Sequence, residues 1–261
     1  MGHHASYDIL PIRESYFPTR EQDMIELESA DGLAVITINR PQARNAIGLD
    51  TMDELEKAID KAAGARALAL TGAGDRAFVS GGDLKELAAL RTEEQAATMA
   101  RRMRGICDRL AAFPGPVIAA LNGHALGGGA EVAVAADIRI AADDIKIGFN
   151  QVSLAIMPAW GGAERLARLV GPGRALMLAG SGEVLDAAAA ERVGLLDRVL
   201  PRAEFDAGWR AAARSLATAP AGEVKRVIGG VTAEEAVSAF ARLWVADEHW
   251  VAADRVMNRG K

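Results

Sequence analysis

At 261 residues, half of them apolar and a quarter charged, the chain can bury a substantial core, and its length allows one large domain or two small ones. A formal net charge of −5, with basic residues scattered instead of striped with aromatics, argues against nucleic acid as a partner, and no apolar run reaches the roughly 18 residues of a membrane span. The single cysteine, Cys107, cannot form an internal disulfide, and Met1-Gly2-His3-His4 lacks the basic-then-apolar start of a secretory signal, so a reducing cytoplasm is the expected compartment.

Residues 1–22 are polar and irregular and read as an N-terminal extension. Alternation over 24–28 and 33–39 predicts two strands of a hairpin joined at Asp31-Gly32, a favoured turn pair. Met52, Leu55, Ala58, Ile59 and Ala62 have helical spacing, with Asp50 or Thr51 as the expected cap, and the apolar run 67–70 predicts a strand. Met99, Met103, Ile106, Leu110 and Phe113 mark one face of a long helix, in which Cys107 reads as packing. A buried strand over 117–121, a Gly-rich turn, a helix over about 128–136 and a strand over 138–141 follow. Alternation of this kind predicts an α/β fold: a core over 23–202 and a helical C-terminal region over 203–261, with no linker or repeat between them.

Two segments carry chemistry. In the first, Ala77-Phe78-Val79-Ser80-Gly81-Gly82-Asp83-Leu84, a strand breaks at two glycines and a helix starts near Asp83. Backbone N–H groups at a helix start are unpaired and lie at the positive end of the dipole, which suits an oxyanion. The plain alternative is a strand-to-helix turn capped by Asp83. In the second, Asn122-Gly123-His124-Ala125-Leu126-Gly127-Gly128-Gly129-Ala130-Glu131, three successive glycines would each cost roughly 1 kcal/mol relative to alanine in a helix, so something requires their bare backbone. The spacing is not that of a dinucleotide-binding turn. Gly-x-Ser-x-Gly is absent around Ser80, His124 reads as a satisfied, partly buried histidine, and His3, His4 and His249 have no metal-ligand spacing, so no metal is expected.

Taken together, these two segments resemble the paired signatures of the crotonase (enoyl-CoA hydratase/isomerase) superfamily. Support comes from Ile38-Asn39-Arg40-Pro41 with Arg44-Asn45-Ala46, from 135–141, and from Pro158-Ala159-Trp160-Gly161-Gly162 with Arg165-Leu166. The resemblance runs from about residue 24 to the C-terminus. It implies a spiral of ββα units, a helical C-terminal region that mediates trimerisation, and a homotrimer or dimer of trimers. It implies an acyl-CoA substrate whose thioester oxygen sits between the N–H groups of Gly82 and Gly128, with CoA entering as part of the substrate and no separate cofactor. Glu131 becomes the acid–base residue. Substrate contacts fall on Arg44, Ala46, Ala77, Phe78, Ser80, Asp83, Leu84, Gly127 and Trp160, those of 40–46 and 77–80 largely through backbone groups. Trp160 either shapes the acyl pocket or packs the core.

The chain departs from the family pattern at one informative place. Hydratases of the superfamily carry a second glutamate in a segment reading Pro-Glu-Val-x-Leu-Gly-Ile-x-Pro, where this chain has Asn150-Gln151-Val152-Ser153-Leu154-Ala155-Ile156-Met157-Pro158. Gln151 can hold a water by hydrogen bonds but cannot exchange a proton at neutral pH. Hydration of a 2-enoyl-CoA by Glu131 alone is the leading expectation. Two alternatives stand beside it: decarboxylation of an ethylmalonyl- or methylmalonyl-type CoA ester, suggested by 157–162, and a thioester-binding protein without catalysis.

Overall fold

The computed structural model describes residues 23–258, so the extension expected over 1–22 lies outside the described residues. The hairpin forms β1 (Ile25–Ala30) and β2 (Leu33–Ile38), paired antiparallel. At its turn Asp31 and Gly32 have φ of 53° and 84°, the left-handed pair that matches the twist of two-residue hairpins.

From there the chain repeats one pattern. β3 (Ala67–Gly72), β5 (Val117–Leu121) and β7 (Ile138–Ala142) lie side by side and parallel in a large sheet of order β1-β2-β3-β5-β7-β10. The strand after each of them, β4 (Ala77–Val79), β6 (His124–Leu126) and β8 (Lys146–Gly148), crosses to a small sheet that β9 (Val184–Asp186) completes. Helices close the turns of this ββα spiral. α1 (Leu49–Lys61) precedes β3, α2 (Leu84–Leu87) and α3 (Glu93–Ala111) follow β4, and α4 (Gly128–Ala133) follows β6. Beyond β8 come α5 (Gly162–Val170), α6 (Pro172–Ser181) and α7 (Ala187–Arg192), then β10 (Arg198–Leu200). β3 and β5 are buried at every position, as parallel strands covered on both faces must be, and their Ala and Leu side chains allow close layers.

Two expected boundaries shift. α1 begins at Leu49 behind Gly48, so neither Asp50 nor Thr51 caps it; Asp50 falls in the first turn, where a carboxylate favours the dipole, and Thr51 is buried. α4 ends at Ala133 instead of 136, because Ala135 and Ala136 donate to Val132 and Ala133 in tight turns. The C-terminal region is helical throughout: α8 (Arg202–Leu216), α9 (Ala219–Ile228), α10 (Ala233–Trp244) and α11 (Asp247–Met257). α8 belongs to the core, packing on β3, β7 and β10 with Phe205, Trp209 and Ala213 buried. α9–α11 instead leave Val227, Ile228, Val237, Phe240, Trp244, Val245, Trp250 and Val251 exposed. No helix among the described residues is long and apolar enough to cross a membrane.

Candidate active site

The small sheet delivers two glycine turns to one place. After β4 the chain turns at Gly81, whose φ of 110° excludes a side chain, and passes Gly82 into α2. Residues 44–47 clamp this turn: Ser80 N–H donates to the Arg44 carbonyl, Ile47 N–H to that of Gly81, and Asp83 N–H to that of Ile47. In this bridge the Gly82 N–H faces away from Ile47 and donates to no acceptor among the described residues. Arg40 ties the clamp down, donating to the Ala46 carbonyl, to Asp83 at 3.0 Å and to Glu86 at 2.9 Å. Burial is the largest influence on the Asp83 carboxyl and raises its pKa, but Arg40 and the N–H groups of Glu86 and Lys85 together hold it below its ordinary value. Asp83 is thus the helix cap that the plain reading anticipated, with the free Gly82 amide beside it.

The second turn follows β6. Gly127 has φ 55° and ψ −118°, and Gly128 opens α4, where the first N–H groups have no partner within the helix. Each glycine has its own reason. A Cβ on Gly129 would lie 1.8 Å from the Val79 carbonyl oxygen, so α4 can rest on β4 only with a bare backbone. A Cβ on Gly128 would fall 2.2 Å from Trp160 Cζ3, and one on Gly81 would lie 3.3 Å from the Gly128 nitrogen. The two turns therefore touch, and the same indole lies near both: Trp160 Cζ2 and Cη2 stand 3.8 and 3.9 Å from the Cβ position of Gly82.

Glu131, one turn into α4, is 2 % exposed. Its Oε2 accepts from the backbone N–H groups of Trp160 at 2.7 Å and Gly162 at 3.0 Å, and its Oε1 accepts from Gln151 Nε2 at 2.9 Å. Burial raises its pKa; the bonds from Gly162, Trp160, Gln151 and Ala159 oppose that rise without cancelling it. The carboxyl is thus fixed by three hydrogen bonds in surroundings whose burial favours its neutral form. Gln151 sits on a 3-10 turn (Asn150–Leu154), 7 % exposed, and its Oε1 is the one buried side-chain polar atom without a partner among the described residues.

Of the residues expected at the site, Gly82, Gly127, Gly128, Glu131, Gln151 and Trp160 come together here. Arg44, Ala77 and Ser80 line a different pocket of about 400 Å³ with Asp75, Arg76, His124, Leu126, Asp144, Ile145 and Arg202. β6 connects the two, since Leu126 lines this pocket and Gly127 follows it. The Phe78 side chain is locked in the core and can offer a ligand only its backbone; Ala46 is buried with its carbonyl taken by Arg40; Leu84 is exposed. His124 is exposed instead of partly buried, and its Nδ1 accepts from Lys146 N–H.

Sequence reasoning missed the scaffold. Asn45 and Asn122 are buried and both donate to the Ala77 carbonyl; Asn45 also reaches Ala73, and Asn122 reaches Gly74, so the two amides pin the start of β4. At Asn122 the available signal was an amide placed directly after the apolar run 117–121. The Trp160 and Gly162 N–H groups that hold Glu131 gave none. Among the described residues no group of three or more His, Cys, Asp or Glu is arranged to hold a metal ion.

Residues 28–242 match the enoyl-CoA hydratase/isomerase family model. The chain is 42 % identical over 187 residues to the crotonyl-CoA hydratase of Syntrophomonas wolfei, covering 69 % of this chain and 70 % of that protein. It is 40 % identical over 193 residues to the short-chain-enoyl-CoA hydratase of Clostridium acetobutylicum, covering 71 % and 72 %. The crystal structure of an enoyl-CoA hydratase from Bacillus anthracis superposes with a TM-score of 0.77 at 33 % identity, over 87 % of this chain and 91 % of that one.

Proposed function

The chain belongs to the enoyl-CoA hydratase/isomerase family, and from that premise we propose that it adds water across the double bond of a 2-enoyl-CoA thioester. The observation that carries this reading is the buried Glu131 carboxylate, held between Gln151 and the Trp160 amide beside two glycine turns whose Gly82 and Gly128 N–H groups have no acceptor among the described residues. The thioester oxygen accepts from both N–H groups, which draws electrons from the β-carbon and stabilises the enolate that forms. One such preorganised donor contributes about 2.7–4 kcal/mol to the transition state. Glu131 takes a proton from water as its oxygen bonds to the β-carbon, then returns that proton to the α-carbon. Gln151 titrates nowhere in this range; its free Oε1 accepts the second hydrogen of the water and fixes its direction. One carboxyl serves as base and then acid, so both new bonds form on the face that Glu131 occupies.

The nucleotide end of CoA is assigned to the pocket lined by Arg44, Arg76 and Arg202, whose guanidinium groups suit phosphate although Asp75 and Asp144 share it. The exposed apolar residues of α10 and α11 support a homotrimer built through the C-terminal helices. The names of the matched relatives favour hydration over decarboxylation. Incubation with crotonyl-CoA, ethylmalonyl-CoA and methylmalonyl-CoA, followed by mass spectrometry, tests the reading. A gain of one water on crotonyl-CoA alone is expected, and loss of CO₂ from either malonyl-type ester without hydration would overturn it.

A further inference from the structure

We infer that the Trp160 indole is the stop that sets the acyl-chain length this site accepts, a reading that rests on the acyl-CoA assignment above. Trp160 joins two jobs in one residue. Its backbone N–H holds Glu131 at 2.7 Å, while the far edge of its ring lies against Gly128 and next to Gly82. The thioester carbonyl is anchored at those two glycines and the reacting carbons face Glu131. A chain continuing past the β-carbon therefore meets the ring that touches both anchors.

The indole is a packed residue, 6 % exposed and part of the buried core, with its six-membered ring turned toward Gly128 and Gly82. The ring has little room to retreat. Gly128 and Gly162 sit where any Cβ would collide with Trp160 or with Glu131, at 2.2 and 2.3 Å, so glycines have already been used to make space for the packed arrangement. An apolar chain too long for this space must displace an aromatic of about 150–250 Å² from its contacts.

The test separates binding from turnover. Affinities of butyryl-CoA and decanoyl-CoA, which cannot be hydrated, are measured by calorimetry for the wild type, Trp160→Ala and Trp160→Phe. Alongside, kcat/KM is measured for crotonyl-CoA and 2-decenoyl-CoA. The wild type is expected to bind decanoyl-CoA no more tightly than butyryl-CoA. In Trp160→Ala the decanoyl/butyryl affinity ratio should rise at least about tenfold, since single methylenes in apolar pockets discriminate by roughly 10–200-fold. Trp160→Phe keeps the backbone bond to Glu131 and most of the packing, so it should shift the ratio in the same direction by less; it decides the matter if the alanine variant does not fold. A wild type that already favours decanoyl-CoA, or a ratio unmoved in the folded variants, overturns the inference. A shifted binding ratio with no hydration of crotonyl-CoA by any form would refute the hydratase reading and leave the acyl stop standing. Normal hydration with an unmoved ratio would do the reverse.

Discussion

Replacing Glu131 by Gln isolates proton transfer from architecture, because the site supplies the amide with partners. The new Oε1 can accept from the Trp160 and Gly162 N–H groups, and the new Nε2 can face Gln151, whose amide turns so that its unpartnered Oε1 accepts. Glu131→Ala offers nothing in exchange. It strands the Trp160, Gly162 and Gln151 donors, at about 1–3 kcal/mol for each buried group, a loss comparable with the whole stability of about 5–15 kcal/mol. Glu131→Gln should therefore fold while kcat for crotonyl-CoA hydration, followed by loss of the conjugated thioester absorbance, falls by about 10²–10⁴-fold. The pH dependence supplies a second reading. The folded pKa of Glu131 is raised by burial, so its contribution is fully present below the unfolded carboxylate value and is lost as pH rises through the folded one. The glutamine variant has no such loss, and its melting temperature should gain on that of the wild type as pH rises above the ordinary carboxylate range. Hydration that survives Glu131→Gln undiminished would refute the assignment of the proton carrier. Melting curves that keep a constant separation across pH would refute the account of its burial.

Gln151→Leu removes the amide at similar volume and should lower kcat by at least roughly tenfold with little change in KM, as expected for a group that orients water without binding the thioester; unchanged kcat would remove Gln151 from the mechanism. Gly128→Ala drives a methyl into Trp160, 2.2 Å from Cζ3, so kcat/KM should fall by about 10²-fold or more while circular dichroism stays native. A fully active alanine variant would contradict the anchor. Cys107 is fully buried, and burial pushes its thiol up to about 12, so iodoacetamide at mildly alkaline pH should label it only after denaturant is added, as peptide mass mapping would report. Phe240→Asp with Trp244→Asp should reduce the mass seen by light scattering to that of one chain; a monomeric wild type would remove the trimer.

The fold was legible where a residue type is forced by backbone geometry or by burial. Asp31-Gly32 announced a hairpin because few pairs tolerate two left-handed residues, and the short apolar runs of β3, β5 and β7 read as strands, that of β5 as a buried one. Helix ends were less legible. The start of α1 is set by Gly48 at a position where Asp50 and Thr51 were better caps by propensity, because Thr51 is drawn inward to complete the core.

The candidate site divides in the same way, and the division has a physical cause. Gly82, Gly128 and Glu131 could be found because a bare backbone and a carboxylate each demand a particular residue type. The groups that make Glu131 usable are backbone N–H groups from Trp160 and Gly162, 29 and 31 residues away, and a peptide N–H is carried by almost every residue. No sequence pattern could point to them; only the return of the chain from β8 through the 3-10 turn into α5 brings them there. Gln151 lies between these cases. Its identity was visible as a departure from two carboxylates, but its consequence needed the geometry. One amide atom is spent on Glu131 and the other is buried without a partner among the described residues, so a position without a proton carrier still offers an acceptor. Because that amide is hydrogen-bonded to Glu131, the proposed hydration calls for no second titrating group. It follows that the pH–rate profile should follow the single ionisation of Glu131, whereas a two-glutamate site would couple two.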